Sequence, residues 1–417
     1  MSMRLKKIRL LTAVMLLLVC LLEACFATAE KTVLLTFTGD VTLGGKDDER
    51  GYDDCFDAVA ADKGYDYFFA NFKEMFEQDD LTIINLECVL TDNRANKASK
   101  KHPFRGKTDF AKILPLSGIE LAGLSNNHIS DYGNQGLKST VKALEDNGVS
   151  WFKDFTYYMY EKDGVKIAFI ALQNSVIYTK YPKLKKLLAS VRDEDGANAV
   201  VICWHTGTEY KGTHDKDTEK TVKTLIEEGG ADLVIINHTH TAQGFGIINN
   251  RSVFYSLGNF VFGGNRHIRG GRDSKDPLAI SLYGMVVQIK LTFTDQNKYL
   301  GQQATVYPVF SSGYNPDYQV GDHFNGNKGI IPNDYRPIRL TTKQAEAVYE
   351  CMKRDTAFEI PAMTEKNGLA EIVFPYLPAF DGVMVPEEGD DEADTLGPAG
   401  LPEAASPTPK RDTRGNN

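Results

Sequence analysis

Apolar residues recur along the chain with two different periods, one typical of strands and one typical of helices. Short β-rich runs predict strands over residues 32–38, 81–84, 119–124, 165–172, 199–204 and 233–236. Apolar residues at helical spacing predict helices over residues 135–147, 182–193, 217–228 and 342–354. Because strands and helices alternate, the pattern indicates βα units and a largely parallel central sheet, and it therefore predicts an α/β fold.

Other segments depart from this simple alternation. Aromatic residues over 68–76 stand at helical spacing and predict an amphipathic helix whose aromatic face belongs to the core. Hairpins are predicted over 157–172 and 245–257, where short polar turns separate two apolar runs. Residues 264–277 are rich in Gly, Arg and Asp and predict a loop. Extra antiparallel strands that cover one edge of the sheet are predicted over residues 284–293 and 303–310.

Polar side chains that can bind metal ions stand at the ends of several predicted strands. They are Asp40, Glu87, Asn127, His128, His205, His238 and His240. His238 and His240 are two residues apart, so an extended backbone places both side chains on one side. Alone, such a pair is more often two surface or satisfied histidines. Two carboxylates, an amide oxygen and several imidazoles together are a ligand set for two borderline metal ions, and ligands bind at this edge of α/β sheets.

Composition and charge narrow the class of protein. The chain has 417 residues, of which 42% are hydrophobic and 25% charged, as in globular proteins. Its formal net charge of -9 argues against a nucleic-acid partner. No Gly-x-x-x-x-Gly-Lys-Ser/Thr loop is present, which argues against a nucleotide-dependent synthetase. A basic stretch over 94–101 is interpreted first as a solvated loop, and Arg105 and Lys107 after it are candidates to contact an anionic substrate.

The N-terminal sequence predicts where the protein is located, and the C-terminal sequence predicts a tail. Basic residues precede the apolar run 10–22, and Ala27-Thr28-Ala29 offers a cleavage site, so residues 1–29 are predicted to be a signal peptide of an extracytoplasmic protein. A less favoured alternative is a lipoprotein with Cys25 as the lipidated residue, because Glu23 fits that pattern poorly. Residues 383–417 are acidic and Pro-rich and predict a disordered tail.

Four further cysteines give no framework. They are Cys55, Cys88, Cys203 and Cys351. Their wide spacing indicates neither a zinc knuckle nor a disulfide scaffold, although a disulfide between distant members stays open.

A series of short motifs carries a family resemblance. The motifs are Gly39-Asp40, Asn85-Leu86-Glu87, Asn126-Asn127-His128 with Asp131-Tyr132-Gly133, His205-x-Gly-x-Glu209-Tyr210, His238-x-His240 and Tyr255-Ser-Leu-Gly-Asn-Phe260. In this order, over about residues 33–264, the series resembles the CapA-type poly-γ-glutamate capsule synthesis family of the calcineurin-like metallophosphoesterase superfamily. The resemblance implies a four-layer α/β/β/α sandwich over 31–264. Residues 265–380 are then expected to form a C-terminal extension that packs on the sandwich.

The resemblance also implies roles for the polar residues at the strand ends. Asp40 and His240 would bind a first divalent metal ion, Glu87 would bridge, and Asn127, His205 and His238 would bind a second ion. The ions would be Mn, Fe or Zn. His128 would be the general acid or would orient a phosphoryl oxygen. Glu209 and Asn259 match family positions and, with Arg105, are candidates for substrate binding.

Two departures from the family pattern concern the metal ligands. Thr42 stands where the superfamily often has a histidine, so the first ion would have fewer ligands. Asn237 stands where a further histidine is common, and a contact behind the ligands is therefore in question.

The function expected from the resemblance is a metal-dependent phosphoesterase. It would act in the biosynthesis of capsule, poly-γ-glutamate or another cell-envelope polymer, on a phosphoester or anionic-polymer substrate, with a capsule synthesis complex at the membrane as partner. The alternative is a non-hydrolytic accessory protein that binds metal or polyanion within a polymer synthesis or export complex, because a fold does not guarantee chemistry.

Overall fold

The computed structural model describes residues 30–269, 281–312 and 330–380. The predicted signal peptide 1–29, with Cys25, and the predicted tail 383–417 lie outside these residues, as does most of the predicted loop 264–277. Among the described residues, no helix is both long and apolar enough to cross a membrane.

The strands are β1 (Lys31–Thr42), β2 (Leu81–Leu86), β3 (Val89–Leu90), β4 (Arg105–Gly106), β5 (Leu121–Gly123), β6 (Ser150–Phe152), β7 (Tyr157–Lys162), β8 (Val165–Gln173), β9 (Ala199–His205), β10 (Leu233–Asn237), β11 (Phe245–Ile248), β12 (Arg251–Phe254), β13 (Asn259–Phe262), β14 (His267–Arg269), β15 (Tyr283–Phe293), β16 (Tyr299–Phe310), β17 (Ile330–Pro332), β18 (Ile338–Arg339), β19 (Thr364–Lys366), β20 (Leu369–Val373) and β21 (Leu377–Pro378). The α-helices are α1 (Phe56–Lys63), α2 (Lys73–Glu77), α3 (Ile113–Leu116), α4 (Gly133–Asp146), α5 (Asn174–Asp193), α6 (Lys216–Glu227) and α7 (Thr342–Arg354).

Two large sheets form the centre of the molecule. The first has eleven strands among the described residues, with β1 parallel to β2 and β13 and antiparallel to β15. The second has the order β11-β12-β10-β9-β8-β7, in which β8, β9, β10 and β12 are parallel and the two edge strands antiparallel. The predicted parallel strands are therefore divided between two sheets, with antiparallel strands added at their edges.

Three apolar cores separate four layers. Leu35 of β1 and Ile235 of β10 share the core between the sheets. The preceding residue of β10, Val234, points the other way and packs with Leu225 of α6 on the outer face of the second sheet. Leu144 of α4 packs in a third core, on the outer face of the first sheet. This arrangement is the predicted α/β/β/α sandwich, and the fold class is confirmed.

The C-terminal extension shares the core between the sheets. Helix α7 begins with a capping box at Thr341 and Gln344. Its buried face includes Val348, Cys351 and Met352, which join the same core as Leu35. The predicted antiparallel strands of this region are β15 and β16, which extend the first sheet beyond β1.

Several predicted elements differ from the structure. The predicted aromatic helix over 68–76 is wrong, because only Lys73–Glu77 is helical, although the aromatic side chains are core as expected. The predicted strand over 252–257 ends at Phe254 as β12, and the chain then forms β13 from Asn259, a strand that the sequence did not predict and that belongs to the other sheet. The predicted helix 182–193 begins at Asn174 and is kinked at Lys180, ahead of Pro182.

The structure also answers two open points: the conformation of one predicted loop and the pairing of the cysteines. Part of the predicted loop 264–277 is β14, which pairs with β17. The four cysteines of the described residues are free, so no disulfide joins them.

Candidate metal centre

Strand pairing brings the predicted site residues together at one edge. In the first sheet, Asp40 of β1 is in register with Asn85 of β2 and with Asn259 of β13. In the second sheet, Asn237 of β10 is in register with His205 of β9. The carboxyl ends of these strands face the same end of the sandwich, and the loops that follow them carry the remaining polar side chains. The predicted assembly at this edge is therefore present.

Among the described residues, two groups of three side chains could each hold a metal ion. One group is Glu87, His205 and His238, and the other is Asp40, Glu87 and His240. Within each group, one donor atom per residue lies within 4.8 Å of the others. Glu87 belongs to both groups, which is the position expected of a bridging carboxylate between two cations.

Glu87 has no hydrogen-bond partner for either carboxylate oxygen. Its side chain is 0% exposed. The Nε2 atom of His205 lies 3.4 Å from Glu87 Oε1, and the Nε2 atom of His128 lies 3.8 Å from the same oxygen. A buried carboxylate without donors is costly unless a cation compensates it. The residues present thus fit divalent cations at this place.

The Nε2 atom of His205 faces three polar atoms. Asn127 Oδ1 lies 2.9 Å away, His238 Nδ1 3.0 Å and Glu87 Oε1 3.4 Å. An imidazole nitrogen carries at most one proton, so it cannot satisfy all three contacts as a donor. Such convergence of polar atoms on one nitrogen fits a shared cation, and it brings Asn127 to the group of Glu87, His205 and His238.

The electrostatics of the centre point the same way. Burial, and then the charge of Glu87, hold the pKa of Asp40 well above its usual value. Burial raises the pKa of Glu87 to about 8, although the nearby His128 opposes the shift. Burial and a neighbouring imidazole lower the pKa of both His238 and His240 to about 3. Neutral imidazoles are the form that binds metal ions, and in that form His238 and His240 bring no positive charge to the two carboxyl groups.

The turn after β10 aims the two histidines in different directions. His238 has φ 111° and His240 has φ 58°, both in the left-handed region. The backbone N–H of His238 donates to Asp40 Oδ2 at 3.2 Å, which fixes the turn against β1. Asn237 lies beside the same carboxylate and lowers the pKa of Asp40 through a side-chain hydrogen bond. The residue that departs from the family pattern thus contacts the centre from behind.

Asn259 supports a ligand and is almost fully buried. Its Oδ1 lies 2.9 Å from His240 Nδ1, and its Nδ2 donates to the carbonyl of Ser281 at 3.2 Å. Because its side chain is only 3% exposed, the structure gives it the role of orienting His240. A direct substrate contact, as expected from the sequence, does not follow from this geometry.

His128 is held in one orientation beside the centre. Its Nδ1 lies 2.8 Å from Asp131 Oδ2, and its ring stacks on Phe104 with centroids 4.3 Å apart. Its other nitrogen, Nε2, faces Glu87. Lys100 forms an ion pair with Asp131 and donates to the carbonyl of Asn127 at 3.0 Å. The sequence assigned no role to Lys100, and only its place in a basic stretch could have drawn attention to it.

Asn85 is a second residue whose role the sequence did not show. Its Nδ2 donates to Asp40 Oδ1 at 2.8 Å and lies 3.2 Å from His205 Nδ1. Its Oδ1 accepts from Asn126 Nδ2 at 3.1 Å. One amide therefore links a ligand of each group, and its only signal in the sequence was its place two residues before Glu87.

Arg105 is buried in contacts with other parts of the chain, whereas Glu209 is exposed near the centre. The Arg105 guanidinium is 4% exposed, pairs with Asp47 at 2.7 Å and donates to the carbonyl of Thr91 at 2.9 Å. These contacts hold neighbouring loops together, so the expected substrate contact of Arg105 is not what the structure shows. Glu209 is exposed, and its charge raises the pKa of Glu87 and His238, which places it near the open side of the centre.

Thr42 does not replace the missing histidine as a ligand. It is fully buried, and its hydroxyl accepts from the backbone N–H of Gly264 at 2.8 Å. The group of Asp40, Glu87 and His240 therefore has fewer donors than the group to which Asn127 is added.

The fold and the centre together define a metallophosphoesterase-like α/β/β/α protein with a place for metal ions at its strand ends. The family model of the bacterial capsule synthesis protein PGA_cap matches residues 34–264. The chain belongs to this family.

Two curated relatives match much the same stretch. The capsule biosynthesis protein CapA of Bacillus anthracis is 28% identical over 253 residues, which cover 55% of this chain and 59% of the relative. The PGA biosynthesis protein CapA of Bacillus subtilis (strain 168) is 26% identical over 249 residues, which cover 54% of this chain and 62% of the relative. The chain thus spans about three fifths of the length of these two relatives.

Among solved structures, the chain is similar to a hypothetical protein from Thermus thermophilus. The TM-score is 0.40 and the identity 16%, over 66% of this chain and 99% of the other. This similarity bears on neither the substrate nor the activity.

Proposed function

We propose that this protein is an extracytoplasmic, metal-dependent phosphoesterase that acts in the biosynthesis of capsule, poly-γ-glutamate or another cell-envelope polymer. Membership of the capsule synthesis family supports the link to capsule. The observation that carries the proposed chemistry is Glu87, a buried carboxylate that has no donor and is shared by two groups of potential ligands. A phosphoester within or attached to an anionic polymer is the substrate class, and a capsule synthesis complex at the membrane is the expected partner.

The proposed centre would hold two divalent ions. Asp40, Glu87 and His240 would hold one ion, and Glu87, Asn127, His205 and His238 the other. When bound, such ions lower the pKa of water and stabilise negative charge on phosphoryl oxygens.

The chain's own residues would position and protonate the substrate. His128 Nδ1 lies 2.8 Å from Asp131 Oδ2, a contact that fixes the ring, so Nε2 is the nitrogen that faces the centre. A proton on Nε2 is therefore placed to move to the leaving oxygen of a substrate bound against Glu87 and its neighbours. Stacking on Phe104 restricts rotation of the ring. Lys100, whose side chain is 32% exposed, adds a positive charge on the His128 side.

A second candidate function is a non-hydrolytic accessory protein that binds metal or polyanion. Thr42 supports this alternative, because its hydroxyl is already engaged by Gly264 and leaves one ion with three protein ligands. A centre that fills only one position would bind an anionic group without turning it over.

The experiment measures hydrolysis of an aryl phosphate and an aryl phosphodiester by the metal-loaded protein. Asn127→Ala, His205→Ala and His238→Ala each remove a donor of one group, and we expect each to lower kcat/KM at least about a hundred-fold. Full activity in any of them would refute the proposed site.

The control is Asn147→Ala, which removes an amide that only contacts the carbonyl of Ala143 near the end of α4. This variant is expected to keep wild-type activity. Bound metal without turnover on either ester would favour the accessory role.

A further inference from the structure

The loop of residues 206–215 lies along the centre. It follows His205, and within it Glu209 exerts its charge on Glu87 and His238. The backbone N–H of Tyr210 donates to the carbonyl of Thr239 at 2.8 Å, and the Tyr210 ring lies 5.6 Å from that of His240. The position of this loop therefore sets where Glu209 and Tyr210 stand beside the ligands.

The far end of the 206–215 loop is held by residues at the end of α7. The backbone N–H of His214 donates to both oxygens of Asp355, at 3.0 and 3.1 Å, and His214 Nδ1 lies 2.9 Å from Asp355 Oδ1. Arg354 donates to the carbonyl of Gly212 at 2.9 Å. The Asp355 side chain is 4% exposed, so these contacts lie in surroundings where charge-assisted hydrogen bonds are strong.

Asp355 also holds the segment of residues 241–244, which follows His240. Its Oδ2 accepts from the backbone N–H of Gly244 at 2.8 Å. The backbone of Gly244 and the backbone of Asp355 approach so closely that a Cβ at position 244 would lie 1.9 Å from the carbonyl oxygen of Asp355. Thr241 and Gln243 in turn donate to the carbonyl of Lys211, at 2.9 and 2.8 Å. One carboxylate thus fastens two segments to each other and to α7.

His214 makes further contacts where the 206–215 loop meets Asp355. Its ring stacks on Tyr255, with centroids 3.7 Å apart and planes 7° apart, and lies 3.7 Å from Glu219. Burial would lower the pKa of His214, but Asp355 and Glu219 outweigh it and raise that pKa. The two carboxylates therefore stabilise the imidazolium form of His214, whose Nδ1 lies beside Asp355 in addition to the backbone contacts.

We propose that Asp355 is a positioning residue that holds the 206–215 loop and the 241–244 segment against the metal centre. Asp355 lies beyond the part of the chain that the family model matches, so the C-terminal extension takes part in the site. The proposal rests on the proposed function in one respect only: Glu209 and Tyr210 are taken to line the side on which a phosphoester binds. Asp355 acts through the loop and does not touch the reacting atoms.

The test is amide hydrogen exchange in the full-length, metal-loaded protein. Asp355→Asn keeps the shape of the side chain but removes its charge, and we expect exchange in 206–215 and 241–244 to rise about ten-fold or more. Lys353→Gln is the matched control. It alters the neighbouring residue, whose side chain is 59% exposed and pairs with Glu350, and it should leave both segments unchanged.

The hydrogen-exchange test of Asp355 can fail or succeed independently of the proposed hydrolytic function. Unchanged exchange in both segments of Asp355→Asn would overturn the proposal. Should that variant not fold, Arg354→Gln removes the contact with Gly212 and must raise exchange in 206–215. If the wild type hydrolyses esters, Asp355→Asn should raise KM about ten-fold with kcat within two-fold and bound metal unchanged, and a fall in kcat alone would count against it. If the wild type shows no turnover, only the proposed function fails. Amide hydrogen exchange in residues 206–215 and 241–244 then still tests the role of Asp355.

Discussion

Glu87 is the residue on which the description of the centre depends most. It is fully buried, receives no hydrogen bond and belongs to both potential ligand groups. Without cations, burial raises its pKa from 4.5 to about 8, so the folded protein holds a proton there that the unfolded chain releases near neutral pH. A residue that costs stability in this way is explained by the binding of a cation and not by packing.

Glu87→Gln is predicted to change the pH dependence of stability of the metal-free protein. A carboxyl whose pKa is raised in the folded state makes unfolding easier as pH rises from about 4.5 to about 8. The wild type should therefore lose stability over this window more steeply than Glu87→Gln, by at most about 1.4 kcal/mol per pH unit. Urea unfolding of both proteins at pH 5 and pH 8 measures the difference.

The control for this prediction is Glu77→Gln, a change at a side chain that is 57% exposed, which should follow the wild type. Parallel pH profiles for the wild type and Glu87→Gln would contradict the account of Glu87.

At the same scale, the sequence showed the ligands better than their supports. A polar residue after an apolar run is a visible signal, so Asp40, Glu87 and His205 could be predicted to meet at one edge. Asn85 also follows an apolar run, but its role as a link between Asp40 and His205 depends on a register between β1 and β2 that local pattern does not contain. Arg105 was expected to face the substrate, and it pairs instead with Asp47, which lies 58 positions away in the sequence.

Among the elements, β1 is the one that positions the centre. It continues through Gly39 and Asp40 to Thr42, further than the β-rich run predicts, and it pairs with β13 at its end. A Cβ on Gly39 would lie 2.4 Å from the carbonyl oxygen of Gly258. The end of β1 and the backbone before β13 can therefore approach this closely only because residue 39 is glycine.

Gly39→Ala is predicted to separate β1 from β13 and to displace Asn259 from His240. Overpacking of this kind costs about 1–3 kcal/mol, and the group of Asp40, Glu87 and His240 should bind metal more weakly. Thermal unfolding and metal titration check the two effects. Gly51→Ala is the control, because nothing lies within 4 Å of the added Cβ. Wild-type metal affinity in Gly39→Ala would contradict the role given to β1.

The elements also show where local pattern is misleading. The aromatic residues over 68–76 have helical spacing, yet most of that segment forms turns, because its rings fill the core around Phe260 from several directions. In contrast, α7 was predicted with its observed bounds, since a capping box and an apolar face are both local signals. The assignment of strands to two sheets, and of β13 to the first, depends on long-range pairing and could not be predicted from periodicity.

At the scale of the whole molecule, the matched region and the C-terminal extension form one packed structure. Helix α7 contributes to the core between the sheets, β15 and β16 extend the first sheet, and Asp355 contacts the loops beside the centre. The sequence predicted an extension that packs on the sandwich, but it gave no sign that this extension reaches the site. Those contacts join residues more than a hundred positions apart.

The central claim is that two divalent ions share Glu87, and metal stoichiometry tests it most directly. The protein is saturated with Mn²⁺ or Zn²⁺, freed of excess metal and analysed by elemental mass spectrometry together with protein concentration. We predict two ions per wild-type chain, one in His240→Ala, because the group with His205 and His238 stays complete, and fewer than two in Glu87→Gln. A wild type that binds no more than one ion at saturation, or variants that keep both, would contradict the shared centre.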